Sequence, residues 1–177
     1  MPKCTLVTTS FTVSDNGIER SKNNTLKLGF DEVEFHSSGK KYFEKWAGPP
    51  EARLEQLHNA FLSDSQCIRA CLGGSGIIQF LSQVNFTLFA KNPKLVVGFS
   101  DLTPLLNAIY ERTGYVALHG PNALKPLDDE SKKQLRRTLQ GEPIVLKFKT
   151  NKTHPLKNVV GTIKGGNLAM CAWSLGS

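Results

Sequence analysis

Lys94-Leu95-Val96-Val97-Gly98-Phe99-Ser100-Asp101-Leu102-Thr103 is the stretch whose reading decides the fold. A lysine leads into an apolar run that ends at Gly98, and Leu102, Leu105, Leu106 and Ile109 then recur at helical spacing, with Pro104 tolerated in the first turn. A strand that turns sharply into a helix holds Ser100 at the tip of the bend. Its hydroxyl is exposed there, above helix N-terminal amides that can stabilise an oxyanion. The pattern suggests a hydrolase nucleophile. Serine before a helix is also a common N-cap, so a capping role stands beside the chemical one.

Outward from this stretch, strands and helices alternate. Thr5–Thr9 reads as the first strand and Gly17–Leu28 as a weak helix stopped by Gly29. Val33 and Phe35 alternate with acids in a second strand. Pro49-Pro50-Glu51 opens a helix whose apolar face is Leu54, Leu57, Phe61 and Leu62. Cys67–Leu72 is a strand running into Gly73-Gly74-Ser75-Gly76, and Ile77, Ile78, Leu81 and Val84 suggest a helix after it. Tyr115–Leu118 reads as a strand ending at His119-Gly120-Pro121, Ser131–Leu139 as a polar helix and Ile144–Phe148 as an edge strand. This order predicts an α/β, flavodoxin-like three-layer domain, a mostly parallel sheet with helices on both faces. Ligands bind such sheets beyond the carboxyl ends of the strands, which singles out Gly73–Gly76, Gly98–Asp101 and His119. The expected organisation is a nucleophile-bearing domain over 1–148, a linker over 149–158 and an incomplete start of a second domain over 159–177.

Composition narrows the function classes. The 177 residues carry a net charge of +7 and are 40% hydrophobic, as for an ordinary globular domain. No apolar run reaches the roughly 20 residues of a membrane span, and the N-terminus reads as a strand rather than a signal peptide, so a cytoplasmic location without membrane contact is expected. Residues 125–164 hold ten Lys/Arg against four acids. Only Phe148 is aromatic there, which argues against nucleic acid and leaves a solvated basic face or a preference for carboxylate-rich ligands. Cys67 and Cys71 would lie about 13 Å apart along a strand, beyond the roughly 7 Å reach of a disulfide. With no Cys-x-x-Cys pair, a zinc site is not expected, and Cys4, Cys67, Cys71 and Cys171 read as reduced thiols; no cofactor is expected.

Further motifs carry a resemblance. Ala47-Gly48 with Arg53 and the Leu57–Asp64 helix, Gly73-Gly74, Asn92-Pro93-Lys94 with Gly98-Phe99-Ser100-Asp101-Leu102-Thr103, His119-Gly120-Pro121, and Gly161 with Gly165-Gly166-Asn167-Leu168 occur in order along the chain. With them the sequence resembles the LD-carboxypeptidases (murein tetrapeptide carboxypeptidases) and the related microcin C immunity hydrolases. The resemblance implies that Ser100 is a catalytic nucleophile, that the amides of Asp101 and Gly74 form the oxyanion hole, and that Gly73, Ser75 and His119 meet substrate. It implies cleavage of the amide before a terminal D-amino acid in cytoplasmic peptidoglycan peptides during recycling, without a metal, and a homodimer.

The chain also departs from the family pattern. The family's Glu and His follow the Gly-Gly-Asn segment and match no position here, so the 177 residues are expected to be inactive or nearly so. The family's Arg-Gly-Gly-aromatic-Gly is Leu72-Gly73-Gly74-Ser75-Gly76 here, without the arginine's anion contact and the aromatic wall. His119 could approach Ser100, or could serve as a structural or substrate-contacting turn residue. Two other readings stand beside the enzyme: a non-catalytic binder of peptides or peptidyl-nucleotides, and a generic phosphate binder using the Gly73–Gly76 turn. The second lacks the Lys-Ser/Thr of a P-loop.

Overall fold

The computed structural model describes residues 2–37, 42–145 and 160–175. Five strands, β1 (Lys3–Val7), β2 (Glu32–Phe35), β3 (Cys67–Ala70), β4 (Leu95–Gly98) and β5 (Leu118–His119), form a sheet in the order β2-β1-β3-β4-β5, and every pairing is parallel. Parallel neighbours need crossover connections, which the helices α1 (Asp15–Leu26), α2 (Pro50–Leu62), α3 (Phe86–Lys91) and α4 (Thr103–Thr113) supply, with α5 (Asp129–Leu139) following β5. The order reverses between β1 and β3, and the crevice beyond their carboxyl ends is where such sheets take ligands.

Side-chain alternation along the strands sorts the core into two layers. Val7, Ile68, Ala70 and Val96 face α2, α3 and α4, packing with Leu57, Phe61, Phe89, Leu105 and Ile109. Phe61 and Phe89 meet edge to face at 5.1 Å, an arrangement worth about 0.5–1.5 kcal/mol beyond burial. Cys4, Leu6, Cys67 and Val97 face the other way, against Leu28, Phe30 and Leu135. The expected helices on both faces are therefore present. Arg69 is buried on this second face, where it donates to Thr25 Oγ1 at 2.7 Å and to the Pro121 carbonyl at 3.1 Å. It thereby ties β3 to α1 and to the loop after β5.

Asn92-Pro93-Lys94 has a structural role. Asn92 Nδ2 donates to the carbonyls of Phe61 (3.3 Å) and Ser63 (3.1 Å), and buried Lys94 donates to Ser63 O at 2.6 Å. The two side chains satisfy carbonyls that the end of α2 leaves without intrahelical partners. Burial lowers the Lys94 pKa.

Three expectations change. The apolar positions from Ile77 to Val84 form two 3₁₀ turns, Ile77–Gln79 and Leu81–Gln83, closed by the amides of Phe80 and Val84 on the carbonyls of Ile77 and Leu81, rather than a helix. The helix comes later, as α3, started by Asn85 Oδ1 accepting from Thr87 N at 3.0 Å. The fifth strand is Leu118–His119 rather than Tyr115–Leu118: Gly114 closes α4 in the left-handed conformation, and Tyr115 and Val116 run out exposed. Ile144 and Val145 are exposed and in no strand; the remainder of that expected strand, and the expected linker over 149–158, lie outside the described residues.

Residues 160–175 pack along α4. Asn107 Nδ2 reaches Gly165 O at 3.3 Å, Asn167 N donates to Thr103 Oγ1 at 3.0 Å, and Lys164 pairs with Glu111. Met170, on a short helix α6 (Leu168–Trp173), is buried in the core layer that α4 covers. Among the described residues, no helix is long and apolar enough to cross a membrane.

Candidate active site

Ser100 sits one residue past Phe99 at the end of β4, with φ = +61°. A non-glycine residue in the left-handed region is under strain, of order 1–3 kcal/mol, and persists only where its surroundings hold it. Asn122 supplies part of that hold: its buried Oδ1 accepts the Phe99 amide at 3.1 Å. Asn122 is in turn fixed by the loop after β5, whose Ala123 and Leu124 amides bond to Ala70 and Cys71 carbonyls at 2.8 and 3.0 Å.

Asp101 is fully buried and turned away from the crevice. Its Oδ2 accepts from Gly76 N at 2.8 Å and Ile77 N at 2.9 Å, while Ser10 Oγ also accepts from Gly76 N at 3.0 Å. The carboxylate next to Ser100 thus clamps the glycine turn after β3 to the turn after β4. Beneath it lies buried Arg53, whose guanidinium donates to the carbonyls of Gly48 (3.0 Å) and Thr9 (3.1 Å) and to Gln79 Oε1. Burial lowers the Arg53 pKa, and the Asp101 charge opposes that shift.

The glycine turn comes close to the serine. A Cβ on Gly73 would lie 3.2 Å from Ser100 Cβ and 3.4 Å from its Oγ. Gly74 has φ = +152°, and a Cβ there would lie 2.3 Å from Ser10 Oγ and 2.7 Å from the Phe11 ring, so only glycine fits. Outside the helices and strands, no described backbone hydrogen bond uses the amide of Gly74 or of Asp101 as donor.

A cleft of about 490 Å³ opens over Ser100, lined by Phe11, Cys71, Leu72, Gly73, Gly74, Phe99, Asn122, Leu124 and Lys125. It joins the ends of β1, β3, β4 and β5, the crevice that the topology marks. Of the residues singled out from sequence, Ser100, Gly73 and Gly74 line this cleft together. Asp101 can offer it only the backbone, and half-buried Ser75 is not among its lining residues. His119, exposed at the end of β5, stands edge to face with Phe99 (6.4 Å between centroids). A Cβ on Gly166 would approach its ring to 3.1 Å. Among the described residues, no hydrogen bond joins Ser100 Oγ to a histidine or a carboxylate, and no His/Cys/Asp/Glu cluster suits a metal ion.

Three contributors were not recognised from the sequence. Asn122 follows directly on the His119-Gly120-Pro121 motif, a position that could have flagged it. Arg53 was noted only as a motif residue, although a charged side chain on the apolar side of a helix signals burial. Phe11 gave no signal.

This architecture, a strained serine at a strand-to-helix turn facing a glycine bend at the ends of parallel strands, is that of a doubly wound α/β domain. Residues 5–120 match the family model described as the LD-carboxypeptidase N-terminal domain, and the chain belongs to that family. It is 32% identical over 145 residues to a probable murein peptide carboxypeptidase of Bacillus subtilis, covering 74% of this chain and 44% of that protein. It is 36% identical over 145 residues to the murein tetrapeptide carboxypeptidase of Pseudomonas aeruginosa, covering 74% and 47%. Among solved structures, an active-site mutant of the microcin C7 self-immunity protein MccF superposes with TM-score 0.80 at 20% identity, over 99% of this chain and 63% of that one. The muramoyltetrapeptide carboxypeptidase of Oxalobacter formigenes gives TM-score 0.67 at 25% identity, over 77% and 47%. The chain thus spans a little under half the length of these curated relatives.

Proposed function

We propose that this chain is the nucleophile-bearing part of a serine-type LD-carboxypeptidase that removes a terminal D-amino acid from murein-type peptides. One observation carries the reading: Ser100, held at φ = +61°, shares a cleft with the glycine turn whose Gly74 amide is free. In this reading Ser100 Oγ attacks the carbonyl of the L,D-amide. The developing oxyanion accepts from the amides of Gly74 and Asp101; the Ser100 proton passes, through a base that is not among the described residues, to the nitrogen of the departing D-amino acid, and water then hydrolyses the acyl-serine. Gly73 allows close approach of the substrate, Ser75 borders the turn, and His119 stands at the rim towards Gly166. The same proposal sets the reaction in the cytoplasm, in peptidoglycan recycling. The exposed apolar side chains Val160, Ile163, Leu168, Trp173 and Leu175 support self-association.

Ser100 has no described base. The described residues therefore hold the oxyanion donors and the nucleophile but show no group that activates it, and turnover by the chain should not exceed the level that binding and oxyanion stabilisation alone support. The test pairs two measurements on the purified chain. With imidazole added as an external base, a peptidyl fluorophosphonate ending in a D-alanine mimic should modify Ser100, detected by peptide mass spectrometry, and should leave Ser100→Ala unmodified. Modification elsewhere, or none under prolonged excess, overturns the nucleophile assignment. Rapid D-alanine release from an L,D-peptide would instead place a base within these residues. The missing base also favours a second reading, a peptide- or peptidyl-nucleotide-binding protein without turnover, for which ligand would bind and neither assay would respond.

A further inference from the structure

The cleft over Ser100 has walls of one kind and charge of one sign. Phe11, Leu72, Phe99 and Leu124 make it apolar, and Lys125 is the single charged side chain among its lining residues. Lys125 is exposed, its amide bonds to Asn122 O at 3.3 Å, and no described ion pair engages it. A second cation stands behind the Phe11 wall. Lys45 Nζ lies 4.1 Å from the Trp46 ring centroid and 5.9 Å from that of Phe11, again with no described ion pair. Of the acids that follow Lys125 in sequence, Asp128 caps α5 by accepting Ser131 N at 2.7 Å and Asp129 pairs with Lys132, and Asp101 beside Ser100 is buried and bonded to Gly76 and Ile77. Nothing lining the cleft neutralises Lys125.

An uncompensated cation beside apolar walls attracts an anionic group more strongly than one in open water, because field lines pass through low-dielectric material. We propose that Lys125 is a specificity-determining residue that reads the free terminal carboxylate of a peptide lying over Ser100, with Lys45, held on the Trp46 and Phe11 rings, adding to the positive field. The inference rests on the peptide reading of the cleft given above. Leu72, where an arginine could have stood in the turn, contributes no charge, so the carboxylate contact falls to the loop after β5. Lys125 acts on recognition rather than on bond breaking, and its effect is readable without turnover.

The experiment is a calorimetric titration of the 177-residue chain with N-acetyl-L-alanyl-D-alanine, with its C-terminal amide, and with adenosine monophosphate. The free acid should bind at least about tenfold more tightly than the amide at low ionic strength, and the preference should shrink as salt screens it. Lys125→Met should bring the acid to the affinity of the amide, and Lys125→Arg should keep the preference. Lys125 is exposed, so both variants should keep the far-UV circular dichroism and thermal midpoint of the parent. A preference that survives Lys125→Met, or equal binding of acid and amide to the parent chain, overturns the inference and leaves the peptide reading standing. Binding of neither peptide overturns the peptide reading, and Lys125-dependent binding of the nucleotide alone assigns the cation to phosphate and overturns the carboxylate assignment.

Discussion

Replacing Asp101 should do most of its damage through two amides. In Asp101→Ala the amides of Gly76 and Ile77 lose an acceptor at 2.8 and 2.9 Å inside a buried site. Hydrogen bonds to a charged group are worth about 1.5–3 kcal/mol each, which sets the loss at about 3–6 kcal/mol. Two features move it to the lower end. Gly76 N keeps Ser10 Oγ at 3.0 Å, and Asp101 Oδ1 is buried without a partner, so its removal relieves a desolvated oxygen. The expected loss is about 3 kcal/mol, a large share of the roughly 5–15 kcal/mol that holds a domain together. Asp101→Asn keeps an acceptor for both amides but gives up the charge, and should lose about half as much. Equilibrium urea unfolding followed by circular dichroism measures both variants. With a slope of about 2 kcal/mol per molar, the midpoint should fall by about 1.5 M for the alanine variant. A loss under about 1 kcal/mol for Asp101→Ala, or equal losses for the two variants, would refute the clamp.

Further perturbations probe other parts of the structure. Ser100→Gly should be more stable than Ser100→Ala by about 1 kcal/mol, because glycine adopts φ = +61° without strain and alanine does not; equal unfolding midpoints would contradict the strained bend. Gly74→Ala should destabilise by several kcal/mol or prevent folding, since its Cβ would meet Ser10 and Phe11, as read from the same urea curves. His58 accepts the Asn85 amide at 3.0 Å through Nε2, which requires the neutral ring, and burial lowers its pKa. The folded pKa thus lies below the unfolded value of about 6.5, so the unfolded chain binds more protons between the two and stability falls as pH drops through that window. His58→Gln should flatten that slope in stability measured from pH 7.5 to 5. Burial pushes the Cys71 thiol up to about 12, and Cys4 is raised as well. A disulfide-exchange reagent at pH 8 should therefore titrate half-buried Cys171 first in the native chain and all four thiols only after denaturation.

The fold was legible because parallel strands buried on both faces leave unbroken apolar runs. Leu95–Gly98 and its helix read directly, and so did the Ser100 turn and the glycine bend opposite it, since both depend on local backbone demands. What did not read were the long-range polar ties. Asp101 looks like a helix-start residue in sequence but reaches across to Gly76 and Ile77, 25 and 24 residues away. Asn122 and Arg53 act through partners more than 20 residues away for Phe99 and Gln79, separations that no local periodicity encodes. Tyr115–Val116 looked like strand from its residue types, yet the left-handed Gly114 sends the chain outward before the sheet is reached.

The clip that Asn92 and Lys94 make on the end of α2 has an evolutionary corollary. A side-chain amide and an ammonium group feeding helix-terminal carbonyls answer to thermodynamic selection, and would do so in a descendant that had abandoned chemistry altogether. Asn-Pro-Lys in a homologue therefore certifies the scaffold, and diagnosing a living enzyme falls to the groups that would contact its reactant.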